Sequence, residues 1–191
     1  VTRQRLRPAY TPAELAEIYA KPHDSRRWID HNVRVETTMA LGIGLAEKSI
    51  QSIADLSCGN GAIARGLQWQ NGGGPRLILG DFAPGYDYTG PIEATIEEIP
   101  PVDVFVCSET IEHLDDPDKV LARIRRKTRY LLLSTPIEAW GETNPEHYWA
   151  WDRDEVENML QHAGFTTHKP YIELDMRNSW SPYCFGIWIA S

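Results

Sequence analysis

With 191 residues, 42% hydrophobic and 24% charged, the chain has the make-up of one globular domain that buries its own core without staples. A net charge of −8 argues against broad nucleic-acid binding, and no apolar run approaches the roughly 18 residues of a membrane span. Cys58, Cys107 and Cys184 cannot all pair, and no Cys-x-x-Cys occurs, which reads as buried free thiols in a reducing, cytoplasmic compartment.

The basic start, Val1 to Arg7, is followed by no apolar segment, so no signal peptide is expected. Thr11-Pro12-Ala13-Glu14 combines an N-cap, a first-turn proline and a capping-box glutamate, which predicts a helix to about Ala20. After Pro22 a second helix is expected from Ser25 into the forties, with Trp28, Val35, Met39 and Ile43 as core contacts at helical spacing. From Ser52 short apolar strands alternate with helices, the pattern of a parallel α/β sheet. Strands are predicted at Ser52–Leu56, Arg76–Leu79, Val102–Cys107 and Tyr130–Ser134, with a helix over Ala62–Gln70 after the first. Asp81 to Pro91 is too rich in Gly and Pro for a crossover helix and reads as a loop or single turn. Asp116-Pro117 opens a helix to about Lys127, and Asp152 with Glu155 opens another that stops at Gly164. Tyr171–Leu174 and Phe185–Ala190 read as a final hairpin containing one antiparallel strand.

Charge is unevenly spread. Residues 1–34 hold seven Lys/Arg against four Asp/Glu, and Arg123, Arg125, Arg126, Lys127 and Arg129 form a second basic cluster. A solvated helix face is the simpler reading, with a local anionic contact left open.

The first predicted strand ends in Asp55-Leu56-Ser57-Cys58-Gly59-Asn60-Gly61. A glycine turn there lets a ligand approach the backbone at the carboxyl edge of the sheet. About 20 residues on, the next strand ends in Asp81, placed to accept two hydrogen bonds from a ribose diol, beside Phe82, which can pack on a purine.

From about Ser52 to Phe165 these residues resemble the class I S-adenosylmethionine-dependent methyltransferases. Asp55 to Gly61 resembles their first motif, with Ser57 where the family usually has a glycine. Asp103 to Leu114 looks like the fourth motif, Leu133-Ser134-Thr135-Pro136 the end of the fifth strand, and Val156 to Phe165 the helix after it. A dinucleotide oxidoreductase would want a third glycine early in the helix, and Gly66 comes too late. The resemblance implies a Rossmann-like, mostly parallel seven-stranded sheet of order 3-2-1-4-5-7-6, its seventh strand antiparallel, with helices on both faces. It implies one domain, 1–191, with residues 1–48 as a helical lid on a core of 52–191. It also implies S-adenosylmethionine as cofactor, held by Asp55, Ser57, Gly59, Gly61, Asp81, Phe82 and Ser108. The adenine edge falls near Thr95–Glu97, where the usual Asp is missing and Thr95 or the Ile96 backbone must serve.

Glu109-Thr-Ile-Glu112-His113 leaves the fourth strand toward the sulfonium end. In a helical turn i, i+3 and i+4 share a face, so Glu109, Glu112 and His113 could converge, with His147 as a fourth ligand from the next loop on the same rim. Two carboxylates and imidazoles suit Mg²⁺, Mn²⁺ or Zn²⁺. The pattern resembles the metal sites of two O-methyltransferase groups, one acting on the 2′-hydroxyl at the 3′ end of small RNAs, the other on catechol-like rings in the ubiquinone pathway. Without a metal, His113 or His147 would act as general base, with Glu112 capping or pairing.

Trp140, Tyr148, Trp149 and Trp151 either wall an acceptor pocket or pack a long loop. His23, Trp28, His31 and Arg34 are lid candidates, with Arg27 or Arg34 meeting the methionine carboxylate, while His162 and His168 read as surface or structural. The leading reading is an O-methyltransferase acting on a hydroxyl of a sugar, glycan or catechol-like molecule. The alternatives are an RNA 3′-end methyltransferase, which the acidic charge disfavours, and a cofactor-binding scaffold without catalysis. The oligomeric state is left open.

Overall fold

The computed structural model describes residues 2–22, 28–178 and 181–191. Its centre is a seven-stranded sheet. In chain order the strands are β2 (Ser52–Asp55), β3 (Arg76–Asp81), β4 (Tyr88–Thr89), β5 (Val102–Ser108), β6 (Thr128–Ile137), β8 (Thr167–Asp175) and β9 (Cys184–Ala190). They lie side by side as β4-β3-β2-β5-β6-β9-β8, which is the expected order, and β9 runs antiparallel to both neighbours. β5 and β6 are buried almost throughout, as sheet strands covered on both faces must be.

The helices are α1 (Pro12–Ile18), α2 (Ile29–Gly42), α3 (Ala62–Gln70), α4 (Ile92–Glu98), α5 (Pro117–Lys127) and α6 (Arg153–His162), of which α1, α5 and α6 start where their caps predict and α3 spans the expected residues. Thr11 and Glu14 close a complete capping box, and the Asp116 and Asp152 carboxylates accept from the Lys119 and Glu155 amides. α4, α5 and α6 bury Ile96, Val120, Leu121, Ile124, Val156 and Leu160 in the cluster on one face of the sheet. The cluster on the other face takes Ile63 and Leu67 of α3 and Leu41 of α2. The carboxyl half of α2 therefore belongs to the core, and only its first turns reach the rim.

Several expectations need correction. Ser25 lies outside the described residues, and α2 gives way at Ile43 to a 3-10 turn through Lys48. Trp28 is the N-cap residue and Ile43 the C-cap, where the buried face of the helix no longer continues, so both are exposed, while Leu41 and Leu45 take the core positions. The segment read as a loop after Asp81 holds β4, whose two residues pair with Gly80 and Asp81, and α4 follows at once. Two further strands were not expected. β1 (Arg3–Arg5) pairs antiparallel with β7 (Trp149–Trp151) in a separate ribbon.

That ribbon accounts for the basic amino terminus. Arg3 and Arg5 stack on Trp149 at 4.3 and 4.7 Å and reach Asp118 and Asp115, each at 2.6 Å. In the second basic cluster, Arg123, Arg125 and Lys127 donate to the carbonyls of Glu93, Gly164 and Ile99, and Arg129 meets Asp103 at 3.1 Å. These charges tie elements together. Cys58, Cys107 and Cys184 are free and buried, as expected. Among the described residues no helix is long and apolar enough to cross a membrane.

Candidate active site

A cavity of about 1290 Å³ opens at the carboxyl ends of β2, β3 and β5, the edge at which open α/β sheets bind ligands. The turn after β2 forms its floor. Gly59 and Gly61 have φ of 53° and 74°, a left-handed backbone in which a side chain would be strained. The Gly59 amide donates to Asp81 Oδ2 at 2.8 Å and the Ala83 amide to Oδ1 at 2.9 Å, so the carboxylate at the end of β3 is held between two loops. Ser57 does not need a glycine's backbone, and its hydroxyl lies 2.7 Å from that of Thr110, bridging the turns after β2 and β5. Asp55 is buried and accepts from the Ser57 amide at 3.2 Å. Burial, reinforced by the Asp81 charge, pushes its carboxyl up to about 7.

Arg34, from the second turn of α2, is 4% exposed and lies against the exit of β5. It donates to the Ser108 and Ser134 hydroxyls, and its Nε lies 3.9 Å from Glu109. Glu109 has φ of 51° and also accepts from the Ser134 hydroxyl at 3.1 Å. The left-handed residue breaks the helical continuity assumed from Glu109 to His113, because the 3-10 turn spans only Ile111–His113. Glu109 therefore turns toward Arg34.

Glu112, His113 and His147 do converge, and among the described residues they offer ligand atoms all within 4.8 Å of one another. Glu112 is 1% exposed. Its Oε2 accepts from Thr135 at 3.0 Å, while its buried Oε1 makes no hydrogen bond and lies 3.9 Å from His113 Nε2. Burial and the nearby Glu109 charge hold this carboxyl well above the ordinary range. The His113 and His147 rings meet edge to face at 4.7 Å, and His113 Nδ1 lies 3.3 Å from the Tyr19 hydroxyl. His147 Nδ1 lies 3.3 Å from Glu142 Oε2. Burial alone would lower the His147 pKa, but Glu142 and the charge of Glu112 outweigh it and raise it above the ordinary value.

These shifts set a sign for stability. Asp55 and Glu112 keep a proton in the folded chain that the unfolded chain releases near pH 4, so their contribution falls as pH rises toward and past 7. His147 acts in the same direction, stabilising fully below about 6.5 and less as pH passes its folded value. His31, lowered by burial, opposes them only below its ordinary value. The melting temperature of metal-free protein is therefore expected to drop between pH 6.5 and 8.5, and Glu112→Gln to flatten that slope. A scanning fluorimetry series at fixed ionic strength checks it, and a melting temperature that rises across the window contradicts it.

Comparison with known proteins decides the family. The family model described as a methyltransferase domain matches residues 7–169. The chain belongs to this methyltransferase family. It is a class I S-adenosylmethionine-dependent methyltransferase, as the sequence resemblance implied. No curated protein matches it in sequence. Similar solved structures include a 1,6-didemethyltoxoflavin N1-methyltransferase from Burkholderia thailandensis with S-adenosylhomocysteine bound. It is 16% identical with TM-score 0.62, covering 98% of this chain and 93% of that one. Magnesium protoporphyrin IX methyltransferase from Synechocystis, with S-adenosylmethionine bound, is 14% identical with TM-score 0.63, covering 94% and 90%. A methyltransferase dependent on the same cofactor from Leishmania major is 12% identical with TM-score 0.70, covering 94% and 82%. At such identities these likenesses describe the fold.

In this methyltransferase Asp55, Ser57, Gly59, Asp81, Phe82 and Ser108 line the cavity, and Gly61 closes the turn behind them. Thr95 and Ile96 do not line it. Both are buried on the inner side of α4, and Gly90, Pro91, Ile92 and Glu93 form the wall there, because only the start of that helix and the residues before it reach the cavity. Of the four loop aromatics only Tyr148 faces the cavity. Trp149 sits under Arg3 and Arg5, Trp151 is core, and Trp140 lies off the wall. Trp28, His31 and Arg34 line the mouth, whereas His23 and Arg27 lie outside the described residues. His162 and His168 are exposed, the latter bonded to Ser191. Sequence reasoning missed Tyr10, Tyr19, Tyr183 and Glu142, which carry no motif and meet the site only through folding.

Proposed function

We propose that this methyltransferase acts on a hydroxyl of a small molecule, a sugar, glycan or catechol-like ring, and that Glu112, His113 and His147 hold a divalent cation beside it. The observation that carries the reading is the trio itself, with a buried Glu112 oxygen that has no hydrogen-bond partner facing two imidazoles. One oxygen and two nitrogen donors suit Mn²⁺ or Zn²⁺ better than Mg²⁺, and three protein ligands leave positions for substrate. When bound, such a cation would lower the pKa of a substrate hydroxyl near neutral pH. Glu109, paired with Arg34, stands outside this set.

S-adenosylmethionine would supply the electrophilic methyl group. On this reading Asp81, already oriented by two amides, accepts the ribose hydroxyls, each carboxylate oxygen having capacity for a second bond. Gly59 and Gly61 keep the turn low, Phe82 packs on the purine, and Arg34 with Ser108 borders the methionine end. Residues of α1 and the start of α2 cover the mouth as a lid, excluding water and holding the acceptor in line with the transferred carbon. A cavity of about 1290 Å³ exceeds what one ligand of ordinary size fills, consistent with cofactor and acceptor bound together. The second reading is metal-free general-base catalysis by His147, which its carboxylate partner Glu142 favours.

The deciding experiment is a screen of sugars, nucleosides and catechols for methyl transfer, run with and without EDTA. Turnover of a hydroxyl acceptor that EDTA abolishes and Mn²⁺ restores supports the cation. Full turnover by exhaustively chelated enzyme, with no metal by elemental analysis, selects the general base.

A further inference from the structure

Resting on that reading of the Glu112, His113 and His147 site, we propose that Glu142 is a positioning residue that fixes the tautomer of His147. Its side chain is 6% exposed and places Oε2 3.3 Å from His147 Nδ1. A carboxylate has only acceptors, so the nitrogen facing it must carry a proton. The His147 Nδ1–H is thereby committed to Glu142, and Nε2, on the far side of the ring, keeps its electron pair. That pair is what either role of His147 requires, as a ligand beside Glu112 and His113 or as a base for a hydroxyl.

Glu142 is itself held from several sides. Its Oε1 accepts from the Asn144 amide at 2.9 Å and from the Tyr183 hydroxyl at 3.4 Å. Its carbonyl accepts from Arg7 Nη2 at 3.0 Å, and the other arm of that guanidinium donates to the Asn144 carbonyl. Arg7 lies two residues beyond β1, whose ladder with β7 anchors the far end of the same loop. The backbone that carries the orienting carboxylate is thus clamped by the amino-terminal strap, and His147 is presented on a braced loop. Orienting carboxylates of this kind strengthen a histidine ligand, and their loss typically lowers metal affinity about 10- to 100-fold.

The test compares the wild-type chain with Glu142→Ala and Glu142→Gln in two readouts. In the metal-free protein, long-range ¹H–¹⁵N spectra report the His147 tautomer, expected to be Nδ1–H in the wild type at pH 8.5. Glu142→Ala should shift the ring toward Nε2–H or a mixture, and Glu142→Gln, which retains an acceptor oxygen, should keep most of the Nδ1–H form. In calorimetric titration with Mn²⁺, Glu142→Ala should bind about 10- to 100-fold more weakly, with Glu142→Gln in between. A ring that is Nε2–H in the wild type, or unchanged by Glu142→Ala, overturns the proposal, as does equal Mn²⁺ affinity in wild type and Glu142→Ala. A wild type that binds no Mn²⁺ removes the cation from the proposed function, and the tautomer spectra then decide for or against Glu142 by themselves.

Discussion

Replacing His147 by Ala should lower methyl transfer by about 10²- to 10⁴-fold, the range expected for loss of a positioned proton acceptor. His147 sits between Glu142 and the Glu112–His113 pair, so its removal strips one donor from the cluster and leaves the buried Glu112 carboxyl without its strongest countercharge. The glycine turn and Asp81 are built from other elements. S-adenosylhomocysteine affinity in the variant should therefore stay within about threefold of wild type, below the tenfold change that 1.4 kcal/mol would make. If a cation is used, excess Mn²⁺ should restore part of the rate through Glu112 and His113. Single-turnover kinetics beside cofactor calorimetry separate the two effects. Unchanged turnover would remove His147 from the chemistry in either reading.

Asp81→Ala should act on the opposite wall. Loss of a charge-assisted hydrogen bond to a ligand costs about 1.5 to 3 kcal/mol, or roughly 10- to 150-fold in affinity. Here the carboxylate also ties the Gly59 and Ala83 amides, so its removal loosens the turn as well as deleting the acceptor. Asp81→Asn keeps an acceptor oxygen for one of those amides and should fall between wild type and Asp81→Ala. Calorimetry with S-adenosylhomocysteine measures both, and an affinity untouched by Asp81→Ala would sink the ribose assignment. Together the two variants divide the cavity functionally, one impairing transfer with cofactor binding kept, the other impairing cofactor binding.

What the sequence by itself determined is whatever is encoded over a few adjacent residues. The Thr11–Glu14 capping box, the N-caps at Asp116 and Asp152, the glycine turn after Ser52–Asp55 and the acid closing the next strand are local and were legible. The strand order followed from the family resemblance that these motifs carry, in order along the chain. Two-residue β4 and three-residue β1 and β7 escaped because such short strands show no alternation, and their partners are set by docking. The Glu109–Glu112–His113 face failed for a related reason. Helical spacing presumes helical backbone, and the left-handed Glu109 interrupts it, a conformation held by the Ser134 carbonyl 25 residues away. Only the tertiary structure decided which carboxylate joins the imidazoles, that Arg34 claims Glu109, and that Glu142 claims His147. Those choices turn on burial and on partners many residues distant, where desolvation makes an unpaired charge costly, and no periodicity in the chain records them.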